Sequence, residues 1–296
     1  MLDYHFKTFL VVCESKNYTE AAQKLQMTQP AISRQMEQLQ EQLQLELITI
    51  NNRKMTLTKE GKYLYRLISS MKNMVHKKLY SLTHNRPQLL IGATPFISQY
   101  LLEPLLTQFL RDNKTVSINL YVENTPSLLK KLQLGALDCA LIEGDVDPLV
   151  FDSIFLRNEL LLPICATQSK LAHHSRSLAD LVTSDLIIRE PESTIYHEIK
   201  HYFAKRTIAL SDFHAVNVVE DSNLIKQLIR SDWGIGFLYK HEIEKEVRQQ
   251  SLCPLYLDQA HIVVPLNFVY LSKKQHTQAI HTQFDLSNYK LSKKLV

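Results

Sequence analysis

The stretch Asn17–Leu39, NYTEAAQKLQMTQPAISRQMEQL, constrains this chain more than any other. A short helix is predicted with Ala21, Ala22 and Leu25 facing inward and Thr19 as its N-cap. A tight connection follows at Gln26–Met27, and a second helix opens with Thr28, Gln29 and Pro30. Small alanines let two helices cross closely. Proline is tolerated in a first helical turn because its missing N–H has no intrahelical partner there. Ile32, Met36, Leu39 and Leu43 recur at helical spacing and form the apolar stripe of the second helix. Thr28, Gln29, Pro30, Ser33 and Arg34 are left free of it. A preceding amphipathic helix (Leu2, Phe6, Phe9, Leu10, Cys13) completes a helix-turn-helix, whose second helix meets bases and phosphates in the major groove. The competing reading is a small helical bundle with no nucleic-acid role.

After Leu43 the chain runs LQLELITINNRKMTLTKEG. Asn51-Asn52 is a turn signal between Leu47–Ile50 and Met55–Leu57, which predicts a short β-hairpin with Arg53 and Lys54 at its tip, within reach of phosphate. The runs FLVVCESKNYTEAAQKL, TQPAISRQMEQLQEQL and LTKEG resemble the LysR-type transcriptional regulators. The family usually has glycine near Gln44, phenylalanine near Ile48 and arginine near Thr49 and Ile50, so this wing is less basic than the family pattern.

Charge is distributed unevenly. Residues 1–60 hold seven Lys/Arg and seven Asp/Glu, whereas 61–86 add six basic residues and no acidic one. The first 86 residues therefore carry 13 − 7 = +6 and the rest 21 − 23 = −2, which sum to the net +4. Phosphate binding wants local positive charge, although the same excess could be a solvated helix face. Lys59–Leu82 reads as one long helix. Leu64, Met71 and Lys78, flanked by Ile68, Val75 and Leu82, repeat every seven residues. We read this seam as a dimerisation helix, with His84-Asn85-Arg86-Pro87 as a hinge; a core helix of one globular domain is the alternative. A dimer presents two recognition helices to two half-sites.

At 296 residues the chain has room for two or three domains. It has no uninterrupted apolar run of about 18 residues and no signal-peptide pattern, so a cytoplasmic protein with no membrane role is expected. Cys13, Cys139, Cys165 and Cys253 lie far apart without a C-x-x-C pair, and structural disulfides are not expected in a reducing cytosol.

From Gln88 strand-like and helical runs alternate, which argues for α/β domains with largely parallel sheets. Predicted helices fall near Ser98–Arg111, Ser127–Leu134, Ile195–Lys205 and Asn223–Arg230. The chain is expected to cross between two lobes at Arg157-Asn158 and to return at Asp258–Pro265. The order of LLIGATP, GALDCALIEG, ELLLPICATQSKLA, LIIREPES and VEDSNLIKQLIRSDWGIGFL is similar to the effector domain of the same family, with its two-lobe, periplasmic-binding-protein-like fold. The expected architecture is therefore α/β with an N-terminal all-α winged helix-turn-helix. Residues 1–61 form the DNA-binding domain, 62–86 the linker helix and hinge, and 87–296 the effector domain. Its first lobe is 87–157 with 265–296 and its second is 158–264.

The resemblance places two loop-to-helix entries at the cleft between lobes, Thr94-Pro95-Phe96-Ile97-Ser98 and Glu192-Ser193-Thr194. Free N–H groups at a helix start and neighbouring hydroxyls suit a small anion or carboxylate effector; Thr94, Ser98, Ser193 and Thr194 could equally be ordinary caps. Glu143 would repel an anion, and would instead pair with a ligand ammonium or a hinge arginine. His197-Glu198-Ile199-Lys200-His201 fits H-E-x-x-H. However, Ile195, Ile199, Tyr202 and Phe203 take the apolar face, which leaves both histidines on the polar side without a third ligand. Gly234-Ile235-Gly236 lacks the phosphate-loop pattern. The reading is thus a sequence-specific, effector-responsive transcription regulator, not an enzyme, without cofactor, metal or catalytic residues. The implied partners are double-stranded operator DNA, a small-molecule effector, further copies of itself as homodimer or homotetramer, and RNA polymerase. A zinc hydrolase built on His197 and His201 is the rival.

Overall fold

Helix boundaries near the N-terminus are written in single side chains. A computed structural model describes residues 3–51, 54–172, 178–255 and 262–272, and the chain divides into two compact units, each described by itself. The first is Met1–Leu89 with Thr115–Ser117 and Lys130–Leu137. In it Asp3 caps α1 (Tyr4–Ser15) by accepting from His5 N. Asn17, not Thr19, caps α2 (Tyr18–Leu25): its Oδ1 accepts from Thr19 N at 2.7 Å and Glu20 N at 3.4 Å. Thr19 already lies inside the first turn, where its own N–H needs a partner. Leu2 and Arg53 lie outside the described residues. α3 (Gln29–Leu43) follows, with Pro30 in its first turn.

Ile32, Met36 and Leu39 of α3 are buried against Phe9, Ala21 and Ala22, with Leu43 packed at the margin. Each such side chain contributes about 1.5–3 kcal/mol by leaving water. Both α2 and α3 end in a left-handed residue with paired reverse hydrogen bonds. Gln26 (φ 55°) and Gln44 (φ 54°) occupy these positions; Leu45 N donates to Gln40 O at 3.1 Å and Gln44 N to Glu41 O at 3.2 Å. Glycine is the usual occupant of this site.

The wing is β1 (Ile48–Asn51) paired antiparallel with β2 (Lys54–Leu57), in register Ile48 to Leu57. The LTKEG run then closes it. The Thr58 hydroxyl accepts from Gly61 N at 2.9 Å, which caps α4 (Lys59–His84), and donates to Glu46 O at 2.6 Å. A Cβ on Gly61 would sit 2.0 Å from the Leu47 carbonyl, so only glycine admits this approach. On α4, Ile68 is buried and Leu64 packs on the same core, whereas Met71, Val75, Lys78 and Leu82 further along the seam are exposed. The left-handed Asn85 (φ 51°) ends the helix.

The second unit is built on a nine-stranded sheet among the described residues, in the order β4-β3-β5-β11-β6-β9-β7-β8, with β10 beside β6. The strands are β3 (Gln88–Ala93), β4 (Ser117–Val122), β5 (Cys139–Glu143), β6 (Phe151–Ala166), β7 (Asp185–Ile188), β8 (Ala215–Val218), β9 (Ile235–Tyr239), β10 (Leu252–Pro254) and β11 (Ile262–Leu271). The sheet is mixed, where sequence predicts a largely parallel one. β3–β5, β7–β8 and β7–β9 are parallel, but β6 and β11 run antiparallel to each other and to their other neighbours. β6 and β11 pair from Phe151–Leu271 to Leu161–Ile262, with a register shift beside Leu266. Arg157–Asn158 and Pro265–Leu266 face each other there, so the predicted crossing points fall inside two continuous strands; 256–261 and 273–296 lie outside the described residues.

The helix predicted near Ser98–Arg111 is two, α5 (Pro95–Tyr100) and α6 (Leu102–Asp112), broken at Leu101 (φ −126°). α7 (Thr125–Gln133), the short α8 (Leu178–Leu181), α9 (Thr194–Ala204), α10 (Ser222–Arg230) and α11 (Lys240–Arg248) follow, and α9, α10 and α11 pack on the sheet. α11 and β10 have no counterpart in the sequence reading. Through β10, Cys253 stands opposite Cys165 of β6, a neighbour relation hidden by their separation in sequence.

Gln44→Gly should relieve the left-handed strain at the end of α3 and raise the stability of the head by ~1 kcal/mol. Gly61→Ala should lower it, since backbone must move away from Leu47. Chemical denaturation followed by helix circular dichroism checks both signs.

Candidate functional site

In the N-terminal unit, burial of Ile32, Met36 and Leu39 fixes which side of α3 meets solvent. Thr28, Gln29, Pro30 and Arg34 are exposed on it and Ser33 is half-buried. Thr28 makes no side-chain cap bond, and the Ser33 hydroxyl donates to Glu37 Oε1 at 3.2 Å. Arg34 and its neighbours therefore share one polar surface over the first two turns of the helix. Lys54, exposed at the start of β2 and paired with Asn51, stands at the end of the wing. Lys62, Arg66, Lys72 and Lys78 are exposed on α4.

In the second unit, the ends of the strands converge on one cavity of about 250 Å³. Thr94, Pro95 and Phe96 follow β3; Asn124 and Thr125 follow β4; Glu143 ends β5; Arg189 and Glu190 follow β7; Glu220 and Ser222 follow β8; Tyr239 ends β9 and Glu242 lies in the first turn of α11. Ser193 and Thr194 enter from the start of α9. This is where open α/β sheets place ligands, beyond the carboxyl ends of strands.

Of the residues singled out by sequence, Thr94, Pro95, Phe96, Glu143, Ser193 and Thr194 line this cavity. Ser98 does not: it lies one turn further along α5, with its N–H bonded to Thr94 O at 2.8 Å. Sequence missed Arg189, Glu190, Glu220, Ser222, Tyr239 and Glu242. Arg189 and Glu190 sit in the LIIREPES run and Glu220 in VED, directly after strand-like segments; that position was the available signal.

Thr94 Oγ1 donates to Glu143 Oε1 at 2.6 Å. Thr194 Oγ1 lies 3.3 Å from Thr125 Oγ1 and donates to Glu143 O at 3.5 Å, bridging the two halves of the sheet. Ser193 Oγ caps α9 by accepting from Tyr196 N at 3.2 Å and donates to Glu190 O at 2.7 Å. Arg189 grips Glu190 through two nitrogens at 2.8 and 2.9 Å and gives a third hydrogen bond to Ser222 Oγ at 3.1 Å. Burial pushes the Glu143 carboxyl up to about 7, partly offset by the Thr94 hydroxyl and the Arg189 charge and reinforced by Glu242 and Glu190. Burial also raises Glu242, against the Ser222 hydroxyl and the Lys226 charge.

His197 and His201 are exposed on α9, opposite the buried Ile195, Ile199, Tyr202 and Phe203. Among the described residues no three His, Cys, Asp or Glu side chains gather as metal ligands.

A head with an exposed recognition helix and wing, followed by a two-lobed α/β body with a polar cleft, defines an effector-binding DNA regulator. Family comparisons say which. The description "Bacterial regulatory helix-turn-helix protein, lysR family" matches residues 4–62, and "LysR substrate binding domain" matches 83–288. The chain belongs to the LysR family of DNA-binding transcription regulators. It is 21% identical over 277 residues to the HTH-type transcriptional regulator CysL of Bacillus subtilis, covering 92% of each chain. Its fold is similar to that of a mutant OxyR of Corynebacterium glutamicum with H2O2 bound (TM-score 0.61, 20% identity, 97% of this chain and 92% of that one). It is also similar to CbnR in complex with its target DNA (TM-score 0.58, 19% identity, 98% and 99%). Membership of this family of regulators removes the zinc-hydrolase rival.

Glu143 gives a signed pH prediction. Its folded-state pKa lies above the ordinary carboxylate value, so below that value the folded and unfolded chains are equally protonated. As pH rises towards about 7 the unfolded chain loses a proton that the folded chain keeps, and stability falls. Glu143→Gln, which can still accept from Thr94, should remove this slope. Its gain over the parent should grow between about pH 5 and pH 8 to the order of 2 kcal/mol, read from denaturation midpoints.

Proposed function

We propose that this regulator reads operator DNA through Thr28, Gln29, Pro30, Ser33 and Arg34 of α3, with Arg53 and Lys54 of the wing on phosphate. It responds to a small-molecule effector held by Thr94, Pro95, Phe96, Glu143, Ser193 and Thr194. The observation that carries this reading is the division of α3: Ile32, Met36 and Leu39 are buried, while Thr28, Gln29, Pro30 and Arg34 are exposed and Ser33 is half-buried. In this reading 1–61 is the DNA-binding domain, 62–86 the linker and 87–296 the effector domain, with lobes 87–157 plus 265–296 and 158–264. The protein acts in the cytoplasm. No helix among the described residues is long and apolar enough to cross a membrane. RNA polymerase is the downstream partner.

The exposed apolar residues Met71, Val75 and Leu82 of α4 favour pairing with a second copy, as dimer or tetramer. Two heads then address two half-sites. Effector binding shifts the closure of the lobes and thereby the angle between heads, which requires a ligand with different affinity for the two states.

A gel-shift titration with salt series tests the DNA face. Arg34→Ala should lower affinity by ~1–3 kcal/mol and relax sequence preference, whereas Lys54→Ala should weaken all sequences alike and flatten the salt slope by about one. Full retention of affinity and preference by Arg34→Ala overturns the assigned face. For the seam, Met71→Glu with Val75→Glu should shift the protein to monomer in sedimentation, because each carboxylate would have to be buried at the pairing surface.

A further inference from the structure

The expected effector class, a small anion, does not match the charge of the cavity. Four carboxylates line it, Glu143, Glu190, Glu220 and Glu242, against one guanidinium, Arg189. That guanidinium is already engaged, since Arg189 is bound through two nitrogens to Glu190 and through a third to Ser222. Bidentate pairs of this kind are among the stronger polar contacts in proteins, so an incoming anion would compete with a partner held in place. Lys226 is no substitute: its Nζ lies 3.1 Å from Glu246 and 3.2 Å from the Tyr100 hydroxyl, and it does not line this cavity.

Two buried atoms of the cavity lack partners among the described residues. Glu242 is 3% exposed and Tyr239 is 0% exposed, and both line the cavity. Glu242 Oε2 and Tyr239 Oη are each buried without a hydrogen-bond partner among the described residues. Leaving a buried carboxylate oxygen unpaired is costly, and a donor arriving in the cavity would remove that cost. An ionised carboxylate oxygen only accepts, so the partner that Glu242 Oε2 lacks is a hydrogen-bond donor, and the surplus of carboxylates around it selects a donor that carries positive charge.

Resting on the regulator reading above, we propose that the effector of this protein carries a protonated amine, bound between Glu143 and Glu242, with the Tyr239 hydroxyl able to accept from the amine or to donate to a second polar group of the ligand. The Thr94, Ser193 and Thr194 hydroxyls border the same space and serve a second polar group of the ligand. The volume admits a molecule the size of a short diamine, amino alcohol or amino acid.

The test is isothermal titration calorimetry on the full-length chain at fixed ionic strength. The amine probes are putrescine, ethanolamine and L-lysine, and the isosteric controls are butanediol and succinate. At least one amine should bind, with butanediol and succinate weaker by about tenfold or more. Glu242→Gln should weaken that amine about tenfold or more. Glu220→Gln, at an exposed position that leaves the core untouched, should weaken it by about two- to threefold through lost long-range attraction. Circular dichroism melts check that each variant is folded. The proposal is overturned if no amine binds, if succinate or butanediol binds as tightly, or if both folded variants bind the amine like the parent. A gel shift of the unliganded parent keeps the two readings separate. Site-specific DNA binding without amine binding overturns the ligand class alone; absence of site-specific binding overturns the regulator reading itself.

Discussion

The antiparallel ladder between β6 and β11 is the constraint on which the cleft depends. These two strands are the only ones that serve both halves of the sheet among the described residues. β11 pairs with β5 on one side, and β6 pairs with β9 on the other. Because the hydrogen bonding continues from one half into the other, each half can be a parallel-stranded unit in its own right and still be tied to its neighbour without a flexible linker. The register shift beside Leu266, opposite Arg157, is the one irregularity in that ladder. A local loss of regular pairing is where two continuous strands can bend together.

The polar content of the cleft follows from the same arrangement. Parallel pairs β3–β5 and β7–β8–β9 point their carboxyl ends to a common space, and whatever residue follows each strand arrives there. Glu143, Arg189, Glu220 and Tyr239 are far apart in sequence and share only that position relative to a strand. The hydroxyls of Thr94, Thr125 and Thr194 lie between the charged groups, and that of Thr94 holds the buried carboxyl of Glu143.

How legible this was from sequence varied with the range of the determining contacts. The head was largely readable, because the stripe of α3 and the two short strands of the wing are local patterns, whereas the cap that Thr58 makes on Gly61 N was not foreseen. Its one error, Thr19 for Asn17 as the cap, came from a choice between adjacent residues that both carry a suitable oxygen. In the body, the alternation of strands and helices gave the fold class. It hid the mixed direction of the sheet, since β6 and β11 look like any other apolar runs until they are paired across about a hundred residues of sequence. α11 was missed because KHEIEKEVR is nearly all charged and shows only Ile243 and Val247 as an apolar face. The loops Thr94–Phe96 and Ser193–Thr194 were found through family resemblance, but Tyr239 and Glu242 were not, because nothing local distinguishes the end of one buried strand from another.

Glu190, Glu220 and Glu242, none of them foreseen from sequence, decide the electrostatics. Glu143 and Thr94 belong to one half of the sheet, and Glu190, Glu242 and Tyr239 to the other, so the carboxylates face each other across the cavity. Like charges on opposite walls repel most when the walls approach and when water is excluded from between them. In the proposed closure of the lobes, the closed state is therefore the one most penalised without a ligand. A cation placed between the walls reverses the sign of that interaction, and it does so more strongly in the closed state than in the open one. An anion would add to the repulsion it was supposed to relieve. Differential affinity for two conformations is what a ligand needs in order to shift an equilibrium between them, and in this cleft the arrangement of carboxylates supplies it to a positively charged ligand.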